Sequence, residues 1–290
     1  MPESFQPTFI QAPAKINLTL DVLGKRADGY HELASVMQTI ALADTIALWP
    51  APEGMVSLNC DVAALDGDEN LVVRAARLIL AEMDHRLGVR IELRKAIPAQ
   101  GGLGGGSSDG AAVLVALNRL WRVGLSQDRL IALAAELGSD VPFFIVGGTA
   151  LIGGRGERVT ALPDIPPFWL VIVKPAVNIS TATVFRGLAP TAFGDGAATR
   201  DLVAHLRAGT LPPLNDATLH NALEAAVMRQ YPAVAVARET LLRLGAPCVR
   251  MSGSGPTLYI PCATLAEASQ WHQDAVAAGL QAWLTHTLRH

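Results

Sequence analysis

Lysine is scarce in this 290-residue chain: Lys15, Lys25, Lys95 and Lys174 are the only four among 23 basic residues. Charge of either sign is sparse, at 17% of residues, and 23 Lys+Arg against 26 Asp+Glu leave a formal −3. No basic field therefore exists to draw in nucleic acid or an anionic membrane surface. Cysteine is nearly missing. Cys60, Cys248 and Cys262 stand too far apart for a C-x-x-C metal or redox pair, and an odd set of thiols fits a reducing cytosol. Long apolar runs are lacking as well: the longest, Phe168–Val173, falls far short of the ~20 residues that a bilayer-spanning helix needs. Met1–Gln11 carries neither the basic nor the apolar region of a secretion signal. The histidines are scattered without ligand spacing, so no protein-built metal site is expected.

Half of the residues are hydrophobic, which excludes a disordered chain. The length suits one large or two moderate domains. The proline-rich stretch Pro163–Pro167 is the expected boundary, dividing 1–162 from 163–290. Val89, Ile91 and Leu93 alternate with Arg90, Glu92 and Arg94, which predicts a half-buried strand over Val89–Ile97. Further strands are expected at Ile16–Val22, Thr45–Leu48, Ala150–Leu151, Trp169–Val173 and Thr257–Ile260. Leu71, Ala75, Leu78, Ile79 and Met83 form one apolar face, predicting a helix over Leu71–Leu87 that stops at Gly88. Other helices are expected at Ser108–Trp121, Asp128–Leu137, Leu219–Arg229 and Ala233–Leu244. The elements lack a regular β-α-β-α beat, so α+β packing is favoured. Residues Pro190–Asp216, rich in Gly, Pro and Ala, are expected to be irregular.

Glycine is concentrated where lysine is not: six of the ten residues Gly101–Gly110 are glycine. The run Ile97-Pro-Ala-Gln-Gly-Gly-Leu-Gly-Gly-Gly-Ser-Ser-Asp-Gly110 follows an expected strand and precedes an expected helix with the apolar face Leu114, Leu117 and Trp121. Glycines let the backbone take positive φ and gather N–H groups into a concave surface. The helix behind adds unpaired N–H groups and the positive end of its dipole, which together suit a phosphate. Ser107 and Ser108 are expected to cap that helix. The run lacks the Gly-Lys-Ser/Thr ending of a P-loop, the G-x-G-x-x-G spacing and the protein-kinase signatures. From the residues alone, Asp140 serves equally well as a general base or as a cap for a helix that holds Pro142 in its first turn.

The loop resembles the phosphate-binding motif of the GHMP kinases. Ala12-Pro-Ala-Lys-Ile-Asn-Leu18 and Met251–Thr257 resemble the same superfamily's N-terminal and C-terminal motifs, in order. Gly24-Lys-Arg-Ala-Asp-Gly-Tyr-His31, Asp68-Glu-Asn-Leu71 and Gly138-Ser-Asp-Val-Pro142 are similar to its branch acting on 4-diphosphocytidyl-2-C-methyl-D-erythritol. The resemblance implies a two-domain α+β (two-layer α/β) GHMP kinase fold with the active site in the interdomain cleft, the N-terminal domain binding ATP. It implies ATP, arriving with Mg²⁺, as co-substrate for phosphorylation of an alcohol, in the non-mevalonate route to isoprenoid precursors. Pro98, Ala99, Gln100, Gly101, Gly102, Leu103, Gly104, Gly105, Gly106, Ser107 and Ser108 would hold ATP. Asp140 would be the base, and Lys15 the cation beside it, against the plain alternative of a lysine reaching to solvent from a strand. Asn17, Tyr30, His31, Thr181 and Phe185 would hold the alcohol substrate, Tyr30 and Phe185 against the faces of the cytosine and His31 at its edge. Asp109 would stabilise its helix and point away from the nucleotide. Lys25, Lys95 and Lys174 receive no role. A cytoplasmic enzyme, monomeric or weakly dimeric, with small-molecule partners only, is the resulting expectation.

Overall fold

The structure, a computed structural model, describes residues 6–83 and 87–290. In chain order it runs through two long strands, β1 (Thr8–Lys25) and β2 (His31–Ala51), then β3 (Val56–Cys60), α1 (Leu71–Ala81) and β4 (Gly88–Arg94). Three helices follow, α2 (Gly105–Leu120), α3 (Gln127–Leu137) and α4 (Val141–Val146), and then β5 (Thr149–Gly154), β6 (Arg158–Ala161) and β7 (Trp169–Lys174). The remainder is α5 (Thr181–Arg186), α6 (Ala197–Arg207), β8 (His220–Asn221), α7 (Glu224–Gln230), α8 (Pro232–Arg243), β9 (Arg250–Met251), β10 (Leu258–Cys262), α9 (Leu265–Ala277) and β11 (Gln281–His286).

The chain divides into two compact units, one of Met1–Ala14, Ala43–Ile97 and Gly104–Ile145, the other of Lys15–Leu42, Pro98–Leu103 and Val146–His290. In the first, strands are ordered β3-β4-β2-β1. Ile46, Leu48, Ile91 and Leu93 bury one face of that sheet against Val72, Ile79, Val113, Leu114 and Leu117 of α1 and α2. The helices approach closely because Gly110 of α2 has no side chain; a Cβ there would sit 3.2 Å from the Cβ of Leu71. Asn70 starts α1 by accepting from the Val72 amide at 3.0 Å, the capping expected of Asn before an apolar run. The expected helix Leu71–Leu87 is shorter than its pattern, ending at Ala81, and its expected residues 84–86 lie outside the described residues.

In the second unit, β6, β5, β2, β1 and β8 form one sheet and β11-β7-β10-β9 another. Their core holds Leu20, Val22, Val171, Val173, Leu241, Leu258 and Ile260. Residues Lys15–Val22 of β1 are buried without alternation, as in a strand covered on both faces. One expectation is overturned here: 190–216 is not irregular throughout, because α6 lies within it. The Thr199 amide and hydroxyl in its first turn both donate to the Asp21 carboxylate, at 3.0 and 2.6 Å. A carboxylate on a helix's first N–H groups stabilises that end, and this one comes from a distant strand. Among the described residues no helix is long and apolar enough to cross a membrane.

Candidate active site

The glycine loop alternates its handedness: Gln100, Gly102 and Gly104 have φ of 51°, 74° and 72°. Left-handed residues placed this way turn successive N–H groups toward one side, the geometry of an anion nest. α2 opens directly after Gly104, with no side chain capping it among the described residues. The expectation that Ser107 or Ser108 caps this helix is therefore wrong, because the helix starts before both. Ser108 instead donates its hydroxyl to the Pro13 carbonyl at 2.7 Å, tying α2 to β1. The first N–H groups of α2 fall on Gly105 and Gly106, which carry no side chain of their own to stand before an anion.

Within the second unit the loop's first half packs on the turn Met251–Thr257. Ser252 donates its hydroxyl to the Gly102 carbonyl at 2.9 Å, and the Thr257 amide donates to the Gly101 carbonyl at 3.3 Å. A Cβ on Gly102 would meet the Ser252 carbonyl at 2.3 Å, so glycine is required there. The turn is shaped by Asn221, which sequence reasoning missed. Its amide donates to the carbonyls of Met251 and Gly253, both at 2.8 Å, and its oxygen accepts from the Leu223 amide at 2.9 Å.

Lys15 is 2% exposed, which overturns the alternative of a lysine reaching to solvent. Its ammonium donates to Asn17 Oδ1 at 2.7 Å, Asn17 Nδ2 donates to Ser35 Oγ at 2.7 Å, and Ser35 donates to the Thr19 carbonyl at 2.5 Å. The Lys15 amide donates to the Leu103 carbonyl at 2.9 Å, and a Cβ on Gly253 would lie 3.2 Å from the ammonium. Lys15 thus sits where the loop, the turn and β1 converge.

His31 is buried, with its ring centroid 5.2 Å from that of Phe185 and 5.7 Å from that of Phe193. Burial, with a smaller push from Lys25, lowers its pKa below the ordinary 6.5. The imidazole is then neutral at pH 7 and offers one donor and one acceptor. Phe193 had carried no expectation. Tyr30 is half exposed beneath the Arg155 guanidinium, 5.1 Å from ring centroid to cation. Thr181 shares a 2.8 Å hydrogen bond with the Ser254 hydroxyl.

Asp140 belongs to the first unit, between α3 and α4, and Pro142 lies in the first turn of α4. Val141 is helical although residues before proline ordinarily favour extended backbone. Also in the first unit, Asp109 and Lys95 are not what the sequence suggests. Asp109 does not act merely as a helix-end charge, since its Oδ2 lies 2.5 Å from Lys95 Nζ. Among the described residues no group of three or more His, Cys, Asp and Glu could hold a metal ion.

Residues 70–148 match the GHMP kinases N terminal domain, and residues 202–283 match the GHMP kinases C terminal domain. A 4-diphosphocytidyl-2-C-methyl-D-erythritol kinase of Pelotomaculum thermopropionicum is 48% identical over 260 residues, 89% of this chain and 90% of that one. A kinase of the same name from Shouchella clausii is 45% identical over 251 residues, covering 86% of this chain and 84% of that one. The chain belongs to the GHMP kinases. A crystal structure of 4-(cytidine 5'-diphospho)-2C-methyl-D-erythritol kinase, 36% identical, matches with a TM-score of 0.82 over 97% of this chain and 99% of that one. The expected fold class and phosphotransferase character of a GHMP kinase are thereby borne out.

Proposed function

We propose that the protein transfers the γ-phosphoryl group of ATP to the 2-hydroxyl of 4-diphosphocytidyl-2-C-methyl-D-erythritol. The observation that carries the choice of substrate is His31, neutral and buried against Phe185 and Phe193 directly after Tyr30. Such a group suits a pyrimidine, with rings for its faces and an imidazole for its polar edge. The named relatives, at 48% and 45% identity, support the same choice.

In this proposal Pro98–Ser108 hold ATP, with its phosphates on the loop's backbone N–H groups from Ala99 onward. Mg²⁺, arriving with the triphosphate, would supply charge neutralisation on the transferred group. Asn17 and Thr181 orient the alcohol, while the Lys15 ammonium stabilises charge that develops on the attacking oxygen. Asp140 accepts the hydroxyl proton as the oxygen–γ-phosphorus bond forms and the bond to the β–γ bridging oxygen breaks, releasing ADP. Residues 1–162 and 163–290 are the proposed halves, supported by the two family matches falling on either side of that boundary.

Two variants test the assignment. Asp140→Asn should lower kcat by about 10³-fold with ATP affinity within about twofold of the parent; a near-parental rate would remove Asp140 as base. His31→Ala should raise KM for the cytidyl alcohol about tenfold and leave KM for ATP nearly unchanged. Equal effects on both substrates would reject the pyrimidine pocket.

A further inference from the structure

Phosphoryl transfer as described above makes no use of Asp44, Lys95 or Asp109, yet the three are buried together where the glycine loop leaves and re-enters regular structure. Asp44 and Asp109 are 0% and 1% exposed, and the Lys95 side chain 7%. Asp44 Oδ1 accepts from the amides of Ala96 and Ile97 at 2.6 and 2.8 Å. The Lys95 ammonium donates to Asp44 Oδ2 and, at 2.5 Å, to Asp109 Oδ2. Ile97 is where the loop begins and Asp109 lies in the opening turns of α2, where it has just ended. One ammonium therefore ties the two ends together. The ends also touch directly, since a Cβ on Gly105 would lie 3.1 Å from Ile97 Cγ2 and 3.4 Å from Asp44 Oδ2.

Burying three charges is a poor route to stability, because an apolar cluster of the same volume usually does as well or better. Such a cluster does supply fixed directions and separations. A glycine loop has the most conformational freedom to lose on binding, and holding it beforehand removes part of that loss from the ligand's binding. We propose that Asp44, Lys95 and Asp109 are positioning residues, clamping both ends of the loop so that its N–H groups stay aimed at the nucleotide phosphates. This rests on the reading of the loop as the ATP site.

The test measures ATP binding by calorimetry, together with KM for ATP and for the cytidyl alcohol, in the parent, Lys95→Met, Asp109→Ala and Asp109→Asn. Lys95→Met should weaken ATP binding about tenfold while KM for the alcohol stays within about twofold. Asp109→Ala, which leaves the Lys95–Asp44 pair, should weaken ATP binding about threefold, and Asp109→Asn, which keeps an acceptor, should restore it. The double variant Lys95→Met/Asp109→Ala should lose less than the product of the single effects, as members of one clamp do. Parental ATP affinity in both Lys95→Met and Asp109→Ala, or equal losses for ATP and alcohol that follow a fall in Tm, would overturn the clamp. Should Lys95→Met not fold, the Asp109→Ala and Asp109→Asn pair decides the matter alone. A parent that binds no ATP would overturn the nucleotide reading of the loop, and the clamp with it.

Discussion

In one unit Glu224 meets Arg250 beside the turn Met251–Thr257; in the other, Asp44 and Asp109 share Lys95 beside the glycine loop. Glu224 uses both oxygens, accepting from the Met251 amide at 2.7 Å and from Arg250 Nη1 at 2.9 Å. The guanidinium also reaches the Asp216 carbonyl at 3.0 Å and the Asp216 carboxylate at 3.2 Å, a planar fork with several fixed directions. Lys95 brings one ammonium to two carboxylates, and Asp109 Oδ1 is buried with no hydrogen-bond partner among the described residues. Glu224 has both oxygens satisfied, and the second carboxylate on Arg250, that of Asp216, is exposed to water, so removing Glu224 should cost stability at any moderate pH. The Lys95 cluster buries both of its carboxylates, so its cost depends on a proton.

The contrast can be broken at its strong end first. Glu224→Ala leaves Arg250 half-buried without this partner and the Met251 amide without an acceptor, and should cost about 3–5 kcal/mol in denaturant unfolding. A loss under about 1 kcal/mol would make the Glu224 pair no more than a surface ion pair. Asn221→Ala acts on the same turn without touching charge. It should cost about 1–3 kcal/mol, with the same loss at pH 6 and pH 8; a loss that varies with pH would show that the turn depends on ionisation after all.

The smallest effect belongs to Asp109→Asn. Burial, opposed by Lys95 and reinforced by Asp44, pushes the Asp109 carboxyl up from the ordinary 3.8 to about 7. The folded state therefore holds this proton more tightly than the unfolded chain does. The stabilisation is complete below about pH 4 and is lost as pH rises through about 7. The charged groups facing it are Asp44 from β2 and the Lys95 ammonium, while Asp61 accepts from the Lys95 amide at 3.0 Å. Between pH 6 and pH 8 the Tm of the parent should fall a few degrees further than that of Asp109→Asn. Parallel curves would mean that Asp109 is ionised throughout, erasing the difference between the clusters.

What the sequence made legible was local. The strand–glycine–helix pattern of 97–121 and the alternation in Val89–Arg94 lie within single windows, so composition and period reveal them. Lys15 with Asn17, and Tyr30 with His31, were visible because each lies inside a short motif. Asp44 and Asp109 could not be seen as partners of Lys95, because the pairing of β2 with β4 brings in Asp44 from 51 positions away and the entry of the loop into α2 brings in Asp109 from 14. The same holds for α6, whose first turn depends on Asp21, 178 residues earlier. The serine cap was misjudged for a different reason: Gly104, in a left-handed conformation, starts the helix without needing a side chain. A glycine-rich stretch hides where its helix begins.

The most direct measurement is a coupled assay of ADP release by the purified protein given ATP and, separately, 4-diphosphocytidyl-2-C-methyl-D-erythritol, mevalonate and homoserine, with the phosphorylated product identified. The expected result is turnover of the cytidyl alcohol alone, with one phosphate added at its 2-hydroxyl for each ADP formed. Turnover of mevalonate or homoserine without the cytidyl alcohol, or ATP binding with no transfer to any of the three, would contradict it.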